Sequence, residues 1–198
     1  MKTVTILGMA ISRQSCPFTG EVWGVNNGYR QVKAQGGHLD KLFLAHGQVI
    51  DGAGDENFNW DEINDTGVQV IGTHVVPEIK NFSPYPYEQI VKEFGTDYFS
   101  DTICYMMAYA IYRGYDRIYM YGVDMMTTGE YWAEKGGVEY WIGYARGKGI
   151  EVITQKESEL LKTITGKPYG QLMTVEDIDP TGQLKFIDGR LVMEVQDE

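Results

Sequence analysis

Six short apolar runs spread along the first 153 residues constrain this chain more than any other feature: Thr3–Gly8, Glu21–Val25, Lys41–Ala45, Val68–Gly72, Arg117–Tyr121 and Ile150–Ile153. They are rich in β-branched and aromatic residues and lack alternating polar positions, so each suits a strand covered on both faces. Strands of that kind need helices above and below them. The segments between them fit helices or structured loops, which predicts an α/β fold with a mostly parallel sheet and helices on both faces.

The helical segments read in the same way. Residues Asp101–Arg113, DTICYMMAYAIYR, are apolar on nearly every side and are followed by Gly114, which predicts a central, buried helix with a glycine at its C′ position. Ser100 or Asp101 can cap its N-terminus. Further helices are predicted over Tyr87–Phe94 and Val138–Lys148, the latter ended by Gly149. Residues 74–86, HVVPEIKNFSPYP, hold three of the six prolines and have no period, as in a long crossover or an active-site loop.

With 198 residues, 43% of them hydrophobic, the chain is long enough for one sizeable core. Residues 1–154 are read as that unit and 155–198 as an extension. In the extension Glu157–Ile164 fits a short helix, and Asp188-Gly189 between alternating runs signals a β-hairpin. From Gly170 onward there are seven acidic and two basic residues, and this tail is expected at a sheet edge or against a partner subunit, as in a homo-oligomer.

Composition narrows the function. A net charge of −11 opposes contact with a phosphate backbone, which argues against nucleic acid as a partner. A small anion is different, because a few backbone N–H groups and one or two cations can hold it whatever the net charge. No apolar run reaches the ~18–20 residues of a membrane helix, and the N-terminus lacks a signal-peptide pattern, so no membrane partner and a cytoplasmic location are expected. Cys16 and Cys104 are too few for a disulfide framework and lie in no C-x-x-C pair.

The candidate site residues follow the runs. ILGMAIS ends the first with Gly8 and Ala10, small enough for a phosphate to approach the backbone, and Ser12, a hydroxyl donor; a plain strand-end turn reads equally well. GVNNGYR ends the second with Asn26 and Asn27, whose amides suit a ribose, a phosphate or a base edge and also stabilise turns. YGVDMMTTGEY places Asp124 just beyond a third. In an open α/β sheet all three would face the carboxyl edge, where ligands bind. His46 and His74 also follow strands and are acid–base candidates. No spacing matches a zinc set, so no metal is assigned. In GGVEYWIGYARGKG, Glu139 and Arg146 share a helix face, and Tyr140, Trp141 and Tyr144 fit either a core or a stacking platform.

Together these segments resemble a known superfamily. The succession of a strand ending in GMxxS, then EVWxVN, then FSDTICYMMAYAIYRGYDRIYMYGVD, then the GVEYWIGYA helix is similar to bacterial sialyltransferases, to the archaeal-type 6-hydroxymethylpterin pyrophosphokinases and to small phage proteins, over roughly residues 3–153. The resemblance implies a Rossmann-like fold and a phage origin. It also implies a nucleotide-binding transferase that moves a sugar or phosphoryl group from a nucleotide or nucleotide-sugar to a small acceptor. Gly8, Ala10 and Ser12 match the turn at the nucleotide phosphates, although Ala10 and Ile11 depart from the family pattern. Asn26, with Asn27 beside it, matches the residue that contacts the nucleotide, and Ser100, Asp101 and Thr102 match the turn before the central helix. Asp124 follows the G-[IV]-D pattern and is assigned as a catalytic carboxylate at the sugar or diphosphate, and Tyr131 lies near a tyrosine that steadies the leaving phosphate. Glu139 stands where the sialyltransferases carry their histidine base, so the base is assigned to Glu139 or to His46. An alternative is a non-catalytic phage protein that sequesters a nucleotide, such as a host immune signal.

Overall fold

The computed structural model describes residues 1–45, 58–125, 130–163, 168, 184–187 and 190–193, with backbone only for 130–132, 184–187 and 190–193. Seven strands form one all-parallel sheet: β1 (Thr3–Leu7), β2 (Glu21–Val25), β3 (Lys41–Leu44), β4 (Gln69–Gly72), β5 (Phe82–Pro84), β6 (Arg117–Tyr121) and β7 (Glu151–Thr154), in the order β5-β4-β3-β2-β1-β6-β7. The helices are α1 (Gly28–Ala34), α2 (Trp60–Thr66), α3 (Tyr87–Phe94), α4 (Thr102–Tyr112) and α5 (Glu130–Gly147). This is the expected α/β, Rossmann-like architecture. Strand β5 was not expected. It hides in the proline-rich crossover, and as a three-residue edge strand it tolerates Pro84, which has no N–H to donate.

Helix α4 is the central element that the sequence pattern predicts. Asp101 caps it by accepting from the Cys104 N–H at 2.9 Å. Gly114, at φ 67°, ends it and lets the Tyr115 N–H reach the Ala110 carbonyl at 3.2 Å. Nine of its eleven residues are buried. It packs on β1, β2 and β3, where Tyr109 joins Phe43 and Tyr115 around the fully buried Trp23, with ring centroids 5.2–5.5 Å from the indole. Each fully buried large apolar side chain contributes about 1.5–3 kcal/mol, so this cluster anchors the sheet.

At the amino edge below it, the Glu21 carboxylate accepts from Trp23 Nε1 at 2.8 Å and from Tyr115 Oη and Lys41 Nζ. Burial alone would raise the Glu21 pKa, but the hydrogen bonds from Lys41, Tyr115 and Trp23 outweigh it and hold the carboxyl below its ordinary range.

Two sequence expectations need correction. Helix α5 begins at Glu130, not at Val138. Glycines inside a helix weaken it, yet a Cβ at Gly137 would collide with the Ser100 hydroxyl, so the glycine is what lets α5 lie against the start of α4. The helix expected over Glu157–Ile164 is a pair of turns over its described residues. There the Ser158 hydroxyl donates to the Val123 carbonyl at 2.7 Å and the Glu159 N–H to the Asp124 carbonyl at 2.7 Å, so these groups bond to the loop after β6 in place of a helical ladder.

The chain divides into two units, Met1–Leu160 and Leu161–Glu198. In the second, β8 (Leu184–Ile187) pairs antiparallel with β9 (Arg190–Met193); the Asp188-Gly189 turn lies outside the described residues. Among the described residues no helix is long and apolar enough to cross a membrane.

Candidate functional site

Strand order locates the site. From β1 the chain turns to β2 on one side, and from β6 it turns to β7 on the other. The two connections diverge, so the carboxyl ends of β1 and β6 form the switch point of the sheet, the position where open α/β sheets bind ligands.

At that switch point the two strand ends are joined by a hydrogen-bonded clamp. The Gly8 N–H donates to the Tyr121 carbonyl at 2.8 Å, and the Ala10 N–H to the Gly122 carbonyl at 2.9 Å. A Cβ on Gly8 would fall deep inside contact distance of the Gly122 carbonyl oxygen, and one on Gly122, whose φ is 66°, would strike the Gly8 carbonyl. The sequence left Gly8 open between admitting a phosphate and a plain turn; here its missing side chain admits the neighbouring strand. A short 3-10 turn, Ile11–Ser15, follows. Ser12 is buried, and its hydroxyl accepts from the Gly122 N–H at 2.8 Å and donates to Asp124 Oδ1, while its own N–H donates to Asp124 Oδ2 at 3.1 Å. Asp124 is 2% exposed. Ser12 and Asp124, 112 residues apart in sequence, thus lock together the loops after β1 and β6. Arg13 lies against the same turn, with Nη1 donating to the carbonyls of Met9 at 2.8 Å and Ala10 at 3.2 Å.

One strand over, the end of β2 is different. Asn26 has φ 46°, a left-handed conformation that asparagine tolerates better than most residues, and its N–H extends the pairing to the Phe43 carbonyl at 3.1 Å. The side-chain oxygens Asn26 Oδ1 and Asn27 Oδ1 are shielded from water and have no hydrogen-bond partner among the described residues. Gln31 Oε1 in the first turn of α1 and Arg13 Nε share that condition. Buried polar groups are normally paired, so four unpaired atoms around the ends of β1 and β2 stand out. Strands lie 4.7–4.9 Å apart, which puts the ends of β2, β1 and β6 within about 10 Å of one another.

Helix α4 starts at this same edge. Thr102 is buried, and Ser100 donates to the Glu134 carbonyl of α5 at 3.0 Å. Burial raises the Asp101 pKa, partly offset by the hydrogen bonds it accepts around Cys104. Cys104 is pushed well above the ordinary thiol range, by burial first and then by Asp101, and is an inert core thiol.

The structure therefore joins Gly8, Ala10, Ser12 and Asp124 directly and brings Asn26 and Asn27 to the same edge, with Ser100, Asp101 and Thr102 at the start of α4. Glu139 lies on α5, paired with Lys135 one turn earlier at 3.7 Å, and its side chain is about a third exposed (30%). Tyr131 falls in the first turn of α5, where only the backbone is described. His46 lies outside the described residues. His74 is exposed beyond β4, with Nδ1 2.9 Å from Thr73 Oγ1. Trp141 is fully buried and donates from Nε1 to the Tyr98 carbonyl at 2.8 Å, so it is core and not a stacking platform. Among the described residues no group of three His, Cys, Asp or Glu converges as a metal site requires. Sequence reading missed Gly122 and Gln31. A glycine directly before the V-D step was a signal for the first, but nothing marked the second.

Its fold is similar to that of a sialyltransferase. The sialyltransferase CstII from Campylobacter jejuni, solved in complex with the substrate analogue cytidine-5'-monophosphate, superposes with a TM-score of 0.54 at 17% identity, over 78% of this chain and 79% of that one. The same enzyme with CMP-3FNeuAc gives 0.53 at 16% identity, over 78% and 80%. Thiamine pyrophosphokinase from Bacillus subtilis gives 0.48 at 13% identity, over 78% and 60%. No protein-family profile matches the sequence, and neither does any curated protein. What this chain shares with the sialyltransferase is thus the fold.

Proposed function

We propose that residues 1–154 bind a nucleotide at the carboxyl edge of the sheet and that the protein is a transferase, moving a sugar or phosphoryl group from a nucleotide donor to a small acceptor. The observation that carries the reading is the set of unpaired buried amide oxygens on Asn26, Asn27 and Gln31. Each costs about 1–3 kcal/mol unless a donor reaches it, and ribose hydroxyls or an exocyclic base amine are such donors. The fold neighbour that carries cytidine-5'-monophosphate supports the choice of a nucleotide.

In this reading Asn26, Asn27 and Gln31 hold the nucleoside. The Gly8–Ser12 turn, fixed by Asp124, walls the phosphates, and Arg13 together with Ser100, Asp101 and Thr102 at the start of α4 flanks them at the carboxyl edge. Glu139 or His46 takes the proton from an acceptor hydroxyl as its oxygen attacks the transferred group. The bond from that group to the nucleotide phosphate breaks, the phosphate leaves with the electron pair, and Tyr131 steadies it.

A second reading, a phage protein that only sequesters a nucleotide inside its host, has its own support: the Asp124 carboxylate is taken up by Ser12, and Glu139 is paired with Lys135. One experiment separates the two. Melting temperature and nucleotide turnover by mass spectrometry are recorded with CMP, UMP, AMP, GMP and the CMP-, UDP- and GDP-sugars. Stabilisation with turnover that is lost in Glu139→Gln supports the transferase, and stabilisation with intact ligand supports the binder. No shift with any nucleotide refutes both.

A further inference from the structure

A second recess opens at the same edge, between the starts of α1 and α2, with a volume of about 560 Å³ and lined by Arg30, Phe58, Asn59, Trp60, Asp61 and Glu78. Nothing in the nucleotide reading uses it. That volume suits a mono- or disaccharide.

Its floor is aromatic: Trp60 stacks on Phe58, with ring centroids 5.3 Å apart and planes at 11°. Phe58 is buried and Trp60 only partly so, which makes the indole a ledge fixed from beneath. Asn59 keeps the ledge in place by capping α2, its Oδ1 accepting from the N–H groups of Asp61 at 3.1 Å and Glu62 at 3.2 Å.

The charges on the rim decide the ligand class. Arg30 pairs with Glu62 at 2.7 Å, and among the described residues the exposed Asp61 and Glu78 carboxylates form no ion pair, so two acids and one base line the recess. An anion is disfavoured there. A flat wall that takes C–H faces, with carboxylates that accept from hydroxyls, fits a neutral sugar ring.

We propose that this recess binds a neutral sugar, stacked on Trp60 and hydrogen-bonded through Asp61 and Glu78. The Arg30 N–H bonds to the Asn27 carbonyl at 3.1 Å and Gln31 follows Arg30 directly in α1, so the recess adjoins the amides assigned to the nucleotide.

The test uses the whole protein without any nucleotide, so its outcome is independent of the nucleotide reading. Saturation-transfer NMR is run against glucose, galactose, mannose and maltose, with tetramethylammonium as the cationic control. The expected result is transfer to the ring C–H protons of at least one sugar at millimolar affinity, abolished in Trp60→Ala and weakened at least fivefold in the Asp61→Asn/Glu78→Gln pair. The double variant changes exposed groups only, and an unaltered melting temperature keeps it informative even where Trp60→Ala fails to fold. No transfer to any sugar overturns the proposal. So does transfer that the double variant leaves unchanged, or a response to tetramethylammonium in place of the sugars.

Discussion

Gln31→Met tests the nucleotide reading through two effects of opposite sign. Gln31 Oε1 is shielded from water with no donor among the described residues, a condition that costs about 1–3 kcal/mol. Methionine has nearly the same length, adapts its shape and carries only a weak acceptor. The substitution is therefore expected to stabilise the unliganded protein by about 1 kcal/mol, a rise of about 2–4 °C in melting temperature for a chain of this size. It also removes one hydrogen bond to the nucleotide. A neutral bond of that kind is worth about 0.5–1.5 kcal/mol, so affinity falls by about 2- to 13-fold.

Calorimetry reads both effects at once. In the wild type, nucleotide at 100 times its Kd stabilises by about 2.7 kcal/mol, and in Gln31→Met the same concentration stabilises by about 0.5–1.5 kcal/mol less. A group serving only the fold behaves in the opposite way. Should Gln31→Met melt lower than the wild type and bind CMP or its best-binding analogue with unchanged affinity, the amide is structural and the reasoning fails.

Three other expectations concern the frame around the site. Gly8→Ala drives a Cβ against the Gly122 carbonyl and should cost about 1–3 kcal/mol or more, seen as a lower urea midpoint; unchanged stability would mean that β1 and β6 do not approach this closely. Ser12→Ala leaves the Gly122 N–H and one Asp124 oxygen unpaired and should cost about 1–3 kcal/mol, measured the same way. Glu21 has a lowered folded-state pKa, so its stabilising contribution is full above its ordinary value of 4.5 and is lost as pH falls through the lowered one; Glu21→Gln should flatten this acid-side loss in urea titrations between pH 7 and pH 3.

The strands were legible because burial on both faces demands continuous apolar runs, and Val4, Ile6, Val22, Trp23, Leu42 and Phe43 carry that demand directly. Strand β5 was not, since none of the three positions of its FSP sequence is buried and the last is a proline. The turns at 156–161 were misread because Ser158 and Glu159 are held by the loop after β6, a contact that no local periodicity carries. The edge where the site lies followed from which runs end in Gly8, Asn26 and Asp124. The roles there did not: whether a small residue faces a ligand or a neighbouring strand depends on the partner strand, and Gly8 meets Gly122.

This difference separates two jobs at the edge. The clamp of Gly8, Ser12, Gly122 and Asp124 has its polar side-chain atoms paired within itself, so it offers a ligand shape more than hydrogen bonds, and its residues should govern stability first. The amide oxygens of Asn26, Asn27 and Gln31, after β2 and on α1, have no partner among the described residues, so on the nucleotide reading they offer hydrogen bonds at a standing cost to the fold, and their residues should govern affinity first. Groups that serve only the fold give no reason to retain that cost. On the nucleotide reading, a satisfied wall with acceptors one strand away that lack a partner among the described residues receives a molecule rich in donors, and the opposite signs expected of Ser12→Ala and Gln31→Met in the unliganded protein follow from that arrangement.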